Sequence, residues 1–176
     1  MYVFCVDDVD GHREKIQEVI ESACAKKGIT DCTIIGCCDG VDFLKKVEGK
    51  TPQFVTMDLN MPNMDGLSAL VRYKRLKPSV PVIIASSENE SVVGRLNKPG
   101  KTFTIVDPEK QKELLAKVID RVSKGIVEPK KMNSVLEAVA NLRMDPIAVA
   151  RSCGAKGILV KPYDRDKTAE ILARFL

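Results

Sequence analysis

The sequence predicts an α/β protein with a five-stranded parallel sheet and helices on both faces. Three observations carry that expectation. Short apolar runs alternate with stretches whose apolar residues recur at helical spacing. The runs are apolar at nearly every position, as strands covered on both faces must be. At 176 residues the chain can also bury one sizeable core and carry a small appendage.

The first strand is YVFCV, residues 2–6, which stops at the acids Asp7 and Asp8. Ile16, Val19, Ile20 and Ala23 then share one helical face. CTIIGC at 32–37 is the second strand, followed by a short helix with Val41, Phe43, Leu44 and Val47. QFVTM at 53–57 is the third, and a helix begins near Gly66 after the N-capping Asp65. PVIIAS at 81–86 and GILV at 157–160 are the fourth and fifth strands, and KTAEILARFL closes the chain as a helix.

Residues 89–144 interrupt this alternation. VVGRL and KTFTIV flank NKPGK, where Pro99-Gly100 suits a type II turn, so a β-hairpin is expected over 92–106. Asp107-Pro108-Glu109 opens a helix over 108–124, whose face is Leu114, Leu115, Val118, Ile119 and Val122 and whose stop is Gly125. A second helix is expected over 129–143, starting at Pro129. Asp145-Pro146 then begins the helix that leads into the fifth strand. Two apolar helix faces cannot both stay in water, so at least one is expected to pack on the rest of the chain or on a second copy. The hairpin and helix of residues 91–124 are expected to form a compact lobe beside the helix that Asp145-Pro146 begins, serving as a partner-binding or self-association surface.

Composition narrows the function classes. No run of about 18 apolar residues spans a membrane, and the start MYVFCVDDVD has neither the basic end nor the cleavage site of a signal peptide, so a cytoplasmic location is expected. The six cysteines form no C-x-x-C pair, and His12 has no cysteine spaced to join it. GRLNKPGKT has the wrong glycine spacing for a P-loop, and DDVDG runs into a helix rather than a calcium loop. The net charge of +4 falls wholly in 89–144, with 11 basic against 7 acidic residues there and 17 against 17 elsewhere. Without a basic stripe or interleaved aromatics this disfavours nucleic acid as a partner.

In parallel sheets, ligands bind beyond the carboxyl ends of the strands. Asp7 and Asp8, Asp58, Ser86 and Lys161 stand at four such ends. Three converging carboxylates against one lysine call for a cation, and magnesium, which prefers oxygen ligands, fits them. A phosphoryl group would meet the metal, the Lys161 ammonium and the Ser86 hydroxyl, with Asp58 as nucleophile. Asp65 is explained by capping alone and is left out of the site; His12 reads as a solvated first-turn residue.

Four segments, VDD at 6–8, MDLNMPNMDG at 57–66, PVIIASSE at 81–88 and GAKGILVKPY at 154–163, resemble the receiver domains of bacterial two-component response regulators. The resemblance covers 1–88 and 145–176 and makes 89–144 an insertion in a single receiver domain of residues 1–176. It implies a flavodoxin-like, doubly wound sheet in the order 2-1-3-4-5, with Asp58 as the phosphoacceptor. By the same resemblance, magnesium is held by Asp7, Asp8, Asp58 and the main-chain carbonyl of Asn60, Ser86 and Lys161 contact the phosphoryl group, and Lys161-Pro162 is cis. The implied partners are a histidine kinase as phosphodonor and a downstream protein or a second copy, reached through the insertion. Asn60 and Glu88 resemble the pair found in stand-alone chemotaxis regulators, while Ile158 stands where the family usually has an aromatic switch residue. Self-phosphorylation and self-dephosphorylation are the only chemistry expected. The alternatives are a phosphohydrolase with an aspartyl nucleophile, for which Asn60 replaces the needed second acid, and a receiver-like module that binds without being phosphorylated.

Overall fold

The computed structural model describes residues 1–87, 108–126, 133–142 and 144–176. Its five strands are β1 (Tyr2–Val6), β2 (Thr33–Cys37), β3 (Phe54–Asp58), β4 (Val82–Ser87) and β5 (Gly157–Lys161). They form one sheet in the order β2-β1-β3-β4-β5, and every neighbouring pair is parallel. This is the doubly wound, flavodoxin-like order. β3, at the centre, is buried at all five positions, whereas the edge strand β2 is buried only at Cys37.

Helices cover both faces. α1 (Asp10–Lys26) and the last helix, α7 (Arg165–Leu172), pack on one face with Val3, Cys5, Phe54, Ile83 and Leu159. Strand pleating sends the alternate residues Phe4, Val6, Val55, Met57, Val82 and Ile84 to the other face. There they meet α2 (Gly40–Lys46), α3 (Gly66–Leu76), α4 (Pro108–Ser123), α5 (Val135–Asn141) and α6 (Pro146–Ser152). Phe43 anchors this second layer, edge-on to Phe4 at 5.7 Å and to Tyr73 at 5.0 Å between ring centroids.

Several elements differ from expectation. Three strands run one residue further than their apolar runs, so that Asp58, Ser87 and Lys161 are paired strand residues. Ladder bonds use the backbone and do not stop where the side chains turn polar. The closing helix starts earlier, at Arg165, because Asp164 caps it by accepting from the Lys167 amide at 3.0 Å. Of the helix expected over 129–143, the described residues show Val135–Asn141, and residues 129–132 and 143 lie outside them; Ser134 is extended and accepts from the Glu137 amide, a cap that marks a helix start. The hairpin expected over 92–106 lies outside the described residues.

α4 packs against α3 and α5 rather than beside α6. Its Leu115 and Val122 join the same core as Val135, Ala138 and Val139 of α5 and Leu70 and Tyr73 of α3. The Arg72 side chain also donates to the Val122 carbonyl at 3.0 Å. Among the described residues no helix is long and apolar enough to cross a membrane.

Tyr73 is 1% exposed, and its hydroxyl has no hydrogen-bond partner among the described residues. Burial pushes its pKa up to about 12. Replacing a buried, unpaired hydroxyl by hydrogen removes a desolvation cost of about 1 kcal/mol. Tyr73→Phe should therefore raise stability by about that amount, read as a higher urea midpoint with an unchanged slope.

Candidate functional site

Asp7 follows β1 directly, and its amide donates to the Cys37 carbonyl at the end of β2. The first turn of α1 folds back over it. The Val9 amide and His12 Nδ1 lie 3.0 and 3.2 Å from Asp7 Oδ1, and the Arg13 guanidinium donates to the Asp7 main-chain carbonyl and pairs with Asp10. The other carboxylate oxygen of Asp7 faces Lys161 Nζ at 2.6 Å. Lys161 also lies 3.0 Å from Asp58 Oδ1, so one ammonium bridges two carboxylates. Asp7, Asp58 and Lys161 are only 3%, 5% and 6% exposed. Asp8 is exposed, yet it, Asp7 and Asp58 each bring a ligand atom within 4.8 Å of the others.

Burial by itself would lower the pKa of the Lys161 ammonium, but hydrogen bonds and charge from Asp7 and Asp58 outweigh it and hold the pKa above the ordinary lysine value. Tyr163 is pushed upward, first by burial and then by the Asp7 and Asp58 charges. The cis Lys161-Pro162 peptide lies where it is expected. A cleft of about 520 Å3 opens beside Lys161, lined by His12, Lys15, Ser87 and Tyr163 among others.

The loop from β3 to α3 is held at both ends. Gly66 donates to the Leu59 carbonyl at 3.0 Å, and a Cβ on Gly66 would overlap the Asp58 carbonyl oxygen. Asn63, at φ 57°, reaches the Asp39 carboxylate at 2.6 Å, and the Gly40 amide donates to the Met64 carbonyl. Asp65 caps α3 as expected, accepting from the Ser68 amide at 2.9 Å.

The carboxylates and Lys161 thus come together as the sequence implies. Asn60 is half-buried, two residues beyond Asp58 in the loop. Ser86 is half-buried and pairs with Val160; Ser87, on the opposite side of the pleat, lines the cleft. Ile158 is half-buried opposite Ile84, and Glu88 lies outside the described residues. Sequence reading set His12 aside as a solvated first-turn residue and did not single out Arg13 or Ser87. For Ser87 a signal existed: it shares strand parity with Ile83, which packs on the α1 face.

A family model described as the response regulator receiver domain matches residues 3–119. The chain belongs to this family. The match covers most of the receiver's acidic end and stops within α4, while β5 and Lys161 lie beyond it. The receiver is similar to the chemotaxis protein CheY of Listeria monocytogenes, at 30% identity over 103 residues, 57% of this chain and 81% of that one. It is 36% identical to Escherichia coli NtrC, a DNA-binding transcriptional regulator, over 88 residues, 50% of this chain and 17% of NtrC. The matched region is 33% of a Rhodospirillum rubrum protein-glutamate methylesterase, at 30% identity. The chain thus spans less than two thirds of these two longer relatives. Among solved structures, chemotaxis protein CheY4 of Vibrio cholerae superposes with a TM-score of 0.55 at 18% identity, covering 99% of this chain and 98% of that one. A response regulator of Chloroflexus aurantiacus gives 0.58 at 14%, covering 99% and 95%. Receiver domains of response regulators serve phosphorylation-dependent signalling and bind magnesium at an acidic pocket.

Gly66→Ala should cost roughly 1–3 kcal/mol or more, because the added methyl meets backbone that cannot step aside. Gly11→Ala, with open space around it, should be neutral or gain up to about 1 kcal/mol; chemical denaturation compares the two. The raised Lys161 pKa gives a second expectation. Its stabilisation is fully present below the unfolded pKa of 10.5 and is lost as pH rises through the folded value. Lys161→Met should show a shallower loss of stability above pH 10.5 than the unmodified protein in denaturation at stepped alkaline pH.

Proposed function

We propose that this receiver takes a phosphoryl group from a histidine kinase onto Asp58 and thereby changes its affinity for a downstream protein. The observation that carries the reading is the buried Lys161 bridge between Asp7 and Asp58, with Asp8 beside it. Such a cluster has no structural need for its third acid, but it suits a cation and an anionic substrate together.

The donor set fits magnesium. Asp7, Asp8 and Asp58 offer clustered hard oxygen ligands, and the Asn60 carbonyl lies in the same loop. Those four residues would hold the ion, which when bound supplies positive charge to the phosphoryl oxygens. An Asp58 carboxylate oxygen attacks phosphorus; the new O–P bond forms as the P–N bond to the donor imidazole breaks, and that electron pair returns to nitrogen. Lys161 keeps its proton, and its ammonium balances charge on the transferred group. Ser86, one residue past the position paired with Asp58, supplies a hydroxyl donor to the phosphoryl oxygens. His12 and the Val9 amide hold Asp7 in place throughout.

The segment 89–144 is read as an insertion within a single receiver domain, and a downstream protein or second copy as the receiver of the signal. The activities in the names of the longer relatives belong to those whole proteins.

Incubation with phosphoramidate and magnesium, followed by intact mass, should show the gain of one phosphoryl group. Asp58→Asn should abolish that gain, and excess chelator should reduce it at least tenfold. Labelling that persists in Asp58→Asn, or that proceeds equally in chelator, would sink the mechanism.

A further inference from the structure

The cap of α3 is shared with α5. Asp65 Oδ1 accepts from the Ser68 amide, while its Oδ2 accepts from two hydroxyls, Ser68 Oγ at 2.5 Å and Ser134 Oγ at 2.8 Å. Ser68 Oγ in turn accepts from the Val135 amide at 2.9 Å, the first residue of α5. Each hydroxyl has one proton to give, and both give it to the same carboxylate oxygen. The first turns of two helices nearly seventy residues apart in sequence therefore satisfy each other.

The bonds among Asp65, Ser68 and Val135 are buried, and the one from half-buried Ser134 is partly so. Asp65, Ser68 and Val135 are 9%, 2% and 0% exposed. Hydrogen bonds to a shielded carboxylate are stronger than those in water, and one left unmade is costlier. The carboxylate also stands next to a critical backbone contact. Gly66 follows Asp65 directly, bonds Leu59, and rests so close to the Asp58 carbonyl that only glycine fits. An unbroken series of contacts runs from α5 through Ser134, Asp65 and Gly66 to the backbone of Asp58.

We propose that Ser134 is a positioning residue for phosphoryl transfer at Asp58, so that α5 completes the support of the acceptor loop. This rests on the reading of Asp58 as acceptor. The start of α5 then supports the site, since the Ser134 hydroxyl fixes the Asp65 carboxylate, the carboxylate fixes the start of α3, and that start fixes where Asp58 presents its side chain. Misplacement of a reacting group by even a fraction of an ångström lowers a rate that depends on alignment. Ser134 touches neither phosphoryl group nor metal and acts only through Asp65.

The test compares first-order phosphorylation by phosphoramidate, read by intact mass on the full chain over a magnesium series, in four proteins. Ser134→Ala should react roughly three- to tenfold more slowly at saturating magnesium, since only part of the strength of one charge-assisted hydrogen bond reaches the rate through Asp65. Ser134→Thr, which keeps the hydroxyl, should return to within about twofold of the parent. Leu115→Ala, which loosens the core under α4 without touching Asp65, should lower the melting temperature at least as much as Ser134→Ala yet leave the rate within about twofold. A Ser134→Ala rate equal to the parent's, a failure of threonine to restore it, or an equal slowing in Leu115→Ala would each overturn the proposal while leaving Asp58 as acceptor. A parent protein that gains no mass at Asp58 would overturn the acceptor reading, and this proposal with it.

Discussion

One buried ammonium between two buried carboxylates is the constraint on which the rest of this structure depends. Lys161 lies 2.6 Å from Asp7 and 3.0 Å from Asp58, and all three are almost wholly removed from water. Charges so placed are tolerated only when paired, because desolvation costs several kcal/mol per ion. The pairing spans the sheet: Lys161 ends β5, Asp58 ends β3, and β4 lies between them. The lysine must therefore pass over the end of β4, where Ala85 and Ser87, on its side of the pleat, are small. A larger side chain there would separate the lysine from its acids, so the composition of one strand end follows from the charge requirement of another.

The same end of the molecule is stiffened from below. α1 turns back on Asp7 through Val9, His12 and Arg13, and the loop after β3 is pinned to α2 through Asp39 and to the Asp58 carbonyl through Gly66. None of these contacts adds much stability alone. Together they remove the freedom of a like-charged cluster to spread apart, which keeps it ready for a cation. The free energy that offsets this repulsion comes from the apolar layers on either side of the sheet, where Phe43, Phe4 and Tyr73 interlock on one face and Ile16, Val19 and Ile20 pack on the other.

α4 and α5 belong to that packing rather than to a separate lobe. Their apolar residues share a core with α3, and Arg72 ties α3 to the end of α4. Leu115, Val118, Ile119 and Val122 of α4 and the apolar face of α5 find cover in the core built on α3, the helix that starts just after the acceptor loop, while Leu114 of the predicted face stays 46% exposed. Among the described residues, neither helix contributes a carboxylate to the acidic cluster.

What the sequence determined by itself was local or periodic. Apolar runs placed all five strands to within a residue, helical spacing placed Ile16, Val19, Ile20 and Ala23 inside, and Asp65 before Gly66 announced its helix. The strand-end acids and Lys161 were also legible, because the carboxyl edge of a parallel sheet gathers such residues whatever the loops do. Tertiary structure alone decided which groups meet. That Lys161 serves Asp7 and Asp58 together and that Ser134 begins a helix by bonding Asp65 are encounters between distant residues, whereas His12 keeps the solvated first-turn place expected of it and also touches Asp7. The start of α5 shows why. Ser134 is an acceptable helix start by local propensity, and its hydroxyl also found a partly buried carboxylate 69 residues away in sequence. Propensity differences of a few tenths of a kcal/mol yield to a single partly buried hydrogen bond, and only the packed chain brings that bond within reach.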